Sequence, residues 1–172
     1  MSQRILFKTL VDILFLIHCF GLIGFILVLP VGFYTTDLVQ LKMSNFDFGI
    51  DKLPVWYWSG IFLSILAYIF LLLALAFLRR MARILLTRNF FLDPVIEYGR
   101  KTGKFFLFSG STLVLVYIIL WLGKLFSGKV QIDLGTDIII PFFLLMIGLF
   151  FKLQAEALQQ GKELKEENEL TI

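Results

Sequence analysis

The hydrophobic positions of this chain form four long segments, and shorter stretches rich in charged residues separate them. The segments cover about residues 9–29, 57–78, 105–122 and 137–153. A helix needs about 20 mostly apolar residues to cross the roughly 30 Å hydrocarbon core of a bilayer. Because three segments meet or approach that length and the connections are short, the pattern predicts an all-α membrane protein with four transmembrane helices in an antiparallel bundle.

The fourth segment is the shortest, with 14 uncharged residues between Asp137 and Lys152. It can still span a bilayer if the Lys152 side chain extends toward the headgroups and the helix continues past Leu153. A mismatch of this kind costs only fractions of a kcal/mol per Å. Pro141 is tolerated because the first turn of a helix has unpaired donors in any case.

Composition and motifs bound the function. The chain is 59% hydrophobic and 17% charged, which is too apolar for one soluble core. Its first segment exceeds the 7–15 apolar residues of a signal peptide and has no cleavage site after it, so we expect a retained span. No nucleophile elbow, phosphate loop, paired-carboxylate set or HExxH motif occurs, which argues against an enzyme and predicts no cofactor.

The strongest charge asymmetry lies between the second and third segments. That connection carries seven basic residues against Asp93 and Glu97, whereas the 33–56 loop carries Lys42 and Lys52 against three Asp. The positive-inside rule then places the connection and both chain termini in the cytoplasm. Four of the arginines form what we call the basic hairpin: Arg79, Arg80, Arg83 and Arg88. The net charge of +3 thus indicates membrane lipid as a partner and no direct nucleic-acid binding.

Two connections alternate between apolar and polar residues, at positions 41–50 and 130–134. A period of two is typical of strands, so we expect a small extracytoplasmic β-cap. The alternative is a pair of irregular loops on the membrane surface. On the other side, the second helix should continue to about Thr87. Asp93 as an N-cap with Pro94 in the first helical position predicts the start of the next helix.

The C-terminal residues 154–172 have apolar residues at roughly helical spacing among many glutamates, which predicts an acidic amphipathic helix in the cytoplasm. The chain then divides into a transmembrane domain, 1–153, and this tail. The tail is either a solvated extension that packs on the basic hairpin or a docking arm for a basic partner. The candidate partner-binding residues are Lys162, Glu163, Lys165, Glu166, Glu167, Asn168 and Glu169.

Two ionisable residues fall inside the first span, where such residues are costly and are therefore functional candidates. Asp12 lies one turn after Lys8, and an i, i+4 ion pair would neutralise it. His18 lies deeper, near the depth of Tyr68, Ser111 and Thr112, and a hydrogen bond to such a hydroxyl would join helices. Alternatively, Asp12 and His18 are polar pathway residues of a small transporter or of a transport accessory subunit.

His18 has a further alternative role as a haem or quinone ligand, but it is the only histidine in the chain. Bis-histidine haem ligation would therefore need a dimer, and a homo-oligomer is an option that the sequence leaves open. No metal-ligand spacing accompanies His18 in the sequence, so we predict no metal site. Gly21, Gly24 and Gly110 are small residues of the kind that is typical of close helix packing in membranes.

Two stretches resemble a known family. Residues 86–96 (LTRNFFLDPVI), with Tyr98 and Gly99 after them, and residues 161–172 (GKELKEENELTI) are similar to the bacterial four-span membrane family catalogued as domain of unknown function 2975. The resemblance implies a genomic context in which a small helix-turn-helix regulator of the Xre/Cro type is often encoded nearby. It suggests a membrane protein that binds such a regulator. No activity and no catalytic residue come with the resemblance.

Overall fold

The structure is a computed structural model that describes residues 3–34, 55–87, 91–126 and 138–170. Within these ranges almost every residue is helical and no strand occurs. The elements are α1 (Gln3–Tyr34), α2 (Val55–Ile84), a 3-10 turn (Leu85–Thr87), α3 (Asp93–Phe126) and α4 (Ile139–Leu170). All four helices are long and apolar enough to cross a membrane, which confirms the four predicted spans. The predicted β-cap lies outside the described residues.

The junction between α2 and α3 follows the local sequence signals. The 3-10 turn ends at Thr87, where the second helix was expected to end. At the start of α3, the backbone N–H groups of Val95 and Ile96 both donate to the carbonyl oxygen of Leu92, at 2.9 and 3.3 Å. Proline is accommodated in this first turn because its missing N–H would be unpaired there anyway. The helix therefore starts within one residue of the predicted place, but the carbonyl of Leu92 accepts the first helical bond, so Leu92 takes the N-cap position predicted for Asp93. The Asp93 side chain contacts Lys162 instead.

Consecutive helices pack side by side and antiparallel. Ser109 on α3 donates a hydrogen bond of 2.9 Å to the carbonyl of Ala67 on α2. The start of α1 contacts the end of α2, and the start of α3 contacts the end of α4. Four helix ends therefore lie together at what we call the charged end of the bundle, marked by Lys8, Arg79, Asp93 and Lys162.

The core lies between all four helices, toward the charged end. Its buried residues are Val11, Ala74, Leu75, Leu78, Phe106 and Leu144. α1 contributes little to it, because only 6% of its apolar stretch is buried, compared with 22–28% in the other three helices. α1 is therefore a peripheral helix that packs mainly on α2.

Glycines allow α3 and α4 to approach closely. A Cβ added to Gly103 would lie 2.7 Å from the carbonyl oxygen of Gly148, and one added to Gly148 would lie 2.9 Å from that of Gly103. Gly110 lies as close to the backbone of Pro141, in agreement with its expected packing role. The same expectation is wrong for Gly24, whose added Cβ would have no neighbour within 4 Å because α1 is peripheral.

α4 continues well past its apolar part. Its 32 residues at about 1.5 Å each give a helix about 48 Å long, whereas the hydrocarbon core is only about 30 Å thick. The predicted tail is thus the second half of α4, continuous through residue 153, and is not a separate helix. The division of the chain at that residue stays a prediction.

Candidate functional site

Asp12 lies at the charged end, held between two cations. Lys8 Nζ is 3.3 Å from Asp12 Oδ2, which confirms the predicted i, i+4 pair. Arg79 Nε also donates to Asp12 Oδ1, at 2.5 Å, and so links α1 to α2. Sequence reasoning assigned Arg79 to the basic hairpin alone. The depth of Asp12 and Arg79 near the same membrane boundary was the signal that could have paired them.

The basic hairpin does not act as one cluster. Arg79 is committed to Asp12, and its guanidinium carbon also lies 5.2 Å from the centre of the Phe15 ring. Arg80 is exposed and lies 5.7 Å from the centre of the Phe77 ring. Arg83 is exposed in the last turn of α2, and Arg88 lies outside the described residues. The structure therefore separates a structural arginine from exposed ones.

His18 contacts one of the three predicted hydroxyl-bearing residues, Tyr68. The Tyr68 hydroxyl donates to the backbone carbonyl of His18 at 2.9 Å, and the two rings stack with centroids 6.0 Å apart. The imidazole Nδ1 lies 2.8 Å from the carbonyl oxygen of Leu14, which fits an Nδ1–H donor. Thr112 instead donates to Phe108 within its own helix, and Ser111 is exposed. Tyr68 is therefore the polar link between α1 and α2 at this depth.

Beside Tyr68, α1 and α2 enclose an apolar cleft of about 250 Å³. A Cβ added to Gly21 would lie 2.8 Å from the Tyr68 hydroxyl, so the glycine makes room for this ring. Almost all of the exposed cleft surface is apolar. The residues that line it are Gly21, Leu22, Phe25, Ser64, Ile65 and Tyr68.

A second cleft of about 350 Å³ lies between the start of α3 and the second half of α4 and is lined mainly by charged groups. Lys162 Nζ lies 2.6 Å from Asp93 Oδ1 and 3.5 Å from Glu166 Oε1. Lys162 is about 34 Å along α4 from Ile139, a distance greater than the roughly 30 Å thickness of a hydrocarbon core. The hydrogen bond to Asp93 raises the pKa of the Lys162 ammonium above its usual value.

Further contacts fix this part of α4 on α3. Arg100 donates to Gln159 at 2.6 Å, and Gln159 donates in turn to Glu163 at 3.0 Å. Ala155 is buried against Gly99, where an added Cβ would lie 3.5 Å from that of Ala155. Gly161 lies against the Phe91 ring. The second half of α4 thus packs on the first turns of α3, and these contacts do not include the arginines of the basic hairpin. The choice between the two predicted roles of the tail stays a prediction.

The candidate partner-binding residues divide into two groups. Lys162 is only 26% exposed and is engaged with Asp93, so its role in the structure is to anchor α4. The other candidates are all exposed on the final turns of α4, and Lys165 pairs with Glu169 at 3.6 Å. We call this group the acidic surface: Glu163, Lys165, Glu166, Glu167, Asn168 and Glu169. Across the described ranges, no group of three or more His, Cys, Asp or Glu side chains is arranged so that it could hold a metal ion.

Four packed helices of sufficient length and apolar character define a multi-pass membrane protein that contacts lipid. The family described as "Protein of unknown function (DUF2975)" matches residues 47–172, and the chain belongs to this family. Both stretches that carry the resemblance lie inside the matched region, which spans α2 to α4. No curated protein and no solved structure shows significant similarity to the chain.

Proposed function

We propose that this protein is a non-enzymatic anchor in a bacterial inner membrane, with both termini in the cytoplasm, and that its acidic surface binds a small helix-turn-helix regulator. The observation that carries the proposal is the length of α4, about 48 Å, which exceeds the roughly 30 Å that a span needs. The second half of α4 holds exposed carboxylates at the charged end, fixed in place by Lys162 and Arg100.

The orientation rests on the basic residues of the charged end. Arg80, Arg83 and Lys104 are exposed close to the ends of the spans. Lysine and arginine in short loops near span ends favour the cytoplasmic side. The acidic surface would then face the cytoplasm, where DNA-binding proteins are found.

Charge supports the choice of partner. The acidic surface has four carboxylates against Lys165, and these lie on one short stretch of helix. DNA-binding domains carry basic surfaces for phosphate contacts. A row of carboxylates can therefore compete with DNA for such a domain, and the competition should weaken as salt rises.

The environment of the intramembrane residues favours the anchor over the transporter alternative. Asp12 is neutralised by Lys8 and Arg79, and the His18 carbonyl accepts from Tyr68. The contacts with Arg79 and Tyr68 join α1 to α2, which supports a structural role for both Asp12 and His18. The haem or quinone role of His18 stays a prediction, and the visible absorbance spectrum of the purified protein tests it.

The docking proposal is tested with the full chain in lipid nanodiscs. Cytosolic proteins retained on the nanodiscs are identified, and the basic regulator among them is purified and its affinity for the nanodiscs measured. Neutralising Glu167→Gln and Glu169→Gln together should weaken that affinity about tenfold, since each close charge is worth about 1 kcal/mol or less at a surface. DNA that carries the binding site of the regulator should compete with the nanodiscs for the regulator.

The matched control removes two carboxylates nearer the membrane, Glu97→Gln and Glu156→Gln, and should keep the affinity of the unmodified protein. Equal weakening in both double variants would show a general charge effect and contradict a specific acidic surface. If no basic DNA-binding protein is retained by the unmodified chain, the proposal is wrong.

A further inference from the structure

A row of aromatic rings runs along one face of the α2–α3 pair. Phe77 and Phe105 stack with ring centroids 5.5 Å apart. Phe70 continues the row, 6.3 Å from Phe105 and 5.6 Å from Phe108. We call these four side chains the aromatic row. Its contacts are between two neighbouring helices, so the row follows the seam between them.

Part of the aromatic row points away from the contacts that α2 and α3 make with α1 and α4. Residues i and i+2 of a helix are about 200° apart around its axis. Phe105 therefore lies nearly opposite Gly103, the residue that contacts α4. In the same way Phe77 lies opposite Arg79, the residue that contacts α1. Phe108 is 44% exposed. Phe70, Phe77 and Phe105 are half-buried, and Phe105 also packs against the core. The row is therefore a seam between α2 and α3 that opens to the outside of the bundle at Phe108.

Three cations lie where this row meets the charged end. Arg80 and Lys101 both approach the Phe77 ring, with distances of 5.7 and 5.6 Å to its centre. Lys104 Nζ lies 5.6 Å from the centre of the Phe108 ring. Lys101 also pairs with Glu97 at 2.5 Å. Within the described part of the chain, Arg80 and Lys104 form no ion pair with a carboxylate.

We propose that this seam is a binding site for an anionic phospholipid. The headgroup phosphate binds Arg80 and Lys104, with Lys101 between them, and one acyl chain lies along Phe108 and Phe70. Basic residues between transmembrane helices at a membrane boundary recognise acidic headgroups in this way. The row adds apolar surface that a soluble anion cannot use. The site is independent of the acidic surface and of the proposed regulator.

The test compares lipids bound to the purified full chain by native mass spectrometry. In mixed micelles with equal phosphatidylglycerol and phosphatidylcholine, we expect phosphatidylglycerol to be retained preferentially. Arg80→Gln with Lys104→Gln should reduce the affinity for phosphatidylglycerol about tenfold, because each basic residue near a membrane surface contributes about a fivefold factor at most. Retention of phosphatidylcholine should not change.

A control of equal charge is Lys152→Gln with Lys165→Gln, both exposed on α4 away from the seam. It should bind phosphatidylglycerol as the unmodified chain does, and so should the charge-preserving Arg80→Lys with Lys104→Arg. Equal losses in the two glutamine variants would overturn the proposal. If the first variant does not fold, the lipid preference of the unmodified chain and of the charge-preserving variant still decides the matter.

A final arm separates lipid from free phosphate. Phosphatidylglycerol at a few molecules per protein should raise the melting temperature of the detergent-solubilised chain, whereas inorganic phosphate at the same concentration should not. An equal rise with both would show a simple anion site and overturn the assignment of a lipid. No preference between phosphatidylglycerol and phosphatidylcholine would also overturn it.

Discussion

Arg79 on α2 donates a hydrogen bond of 2.5 Å to Asp12 on α1, and the two residues are 67 positions apart in the chain. Lys8 contacts the other carboxylate oxygen of Asp12 at 3.3 Å. Removing Arg79 would leave Asp12 with Lys8 as its single, half-buried partner. The pair therefore links the peripheral helix to the bundle by charge.

For the change Arg79→Gln we expect a loss of about 1 kcal/mol in stability, at the upper end for partly exposed ion pairs. The loss should appear as a lower melting temperature in detergent. Asp12→Asn should cost about as much. In a double-mutant cycle the combined variant should be less destabilised than the sum of the two. If the losses of stability in the two single variants add up strictly in the double variant, the pair contributes nothing. The control is Arg83→Gln, which removes an exposed arginine one turn further along α2.

The glycine contact between α3 and α4 predicts a sharp positional difference. Gly103→Ala and Gly148→Ala each place a methyl group against the backbone of the opposite helix, so each should cost about 1–3 kcal/mol from overpacking. Gly24→Ala, with open space around its added Cβ, should leave stability unchanged or slightly raised. Thermal unfolding of the three purified variants checks this. Equal melting temperatures would mean that α3 and α4 do not approach closely at Gly103.

The Lys162–Asp93 contact predicts a dependence on pH at the alkaline end. Its hydrogen bond raises the pKa of Lys162 above the usual 10.5. A group with a raised pKa in the docked state stabilises docking fully below its ordinary pKa, and this contribution is lost as the pH rises through the raised value. The distance between spin labels on Leu92→Cys and Gln160→Cys, with Cys19→Ser, should therefore broaden only above about pH 10.5.

In the same labelled chain, Lys162→Gln should give the broadened distance distribution already at neutral pH. It should also show less change between neutral and alkaline solution than the unmodified chain. A distribution that broadens equally with pH in both chains would assign the effect to other groups.

The orientation used for the proposed function has a direct test. Green fluorescent protein fused after the last residue of the chain should fluoresce in intact cells, because that domain folds in the cytoplasm. Alkaline phosphatase fused at the same point should be inactive, because it needs the oxidising side of the membrane. An active phosphatase fusion would reverse the topology and remove the basis for a cytoplasmic partner.

Much of the fold follows from the sequence because each apolar run has one physical solution, a helix across the bilayer. The local signals near Thr87 and Pro94 also act within a single turn, and the structure reproduces the end of one helix and the start of the next to within one residue. The helix ends beyond the apolar runs were harder. α4 continues to Leu170 because its charged half packs on α3, and hydropathy does not report such packing.

Polar contacts within one helix could likewise be derived from the sequence, whereas those between helices could not. Lys8 and Asp12 are neighbours by helical spacing alone, so their pairing could be derived. The partners of Asp12 and Lys162 on other helices depend also on helix rotation, which a single sequence does not give. Similar depth made Arg79 a possible partner of Asp12 but did not select it. Gly103 lies one heptad before Gly110, and this spacing was a usable sign of the α3–α4 contact.

The slight burial of α1 has a consequence for how this helix is positioned. Acyl chains are as apolar as the side chains of Val11 and Phe15, so hydrophobic attraction gives little preference for any one placement of α1. Two polar contacts to α2, made by Asp12 and by the carbonyl of His18, lie about nine Å apart along the axis of α1. These two contacts therefore set both the rotation of α1 and its height relative to α2. Loss of one of these contacts would allow α1 to rotate about the other.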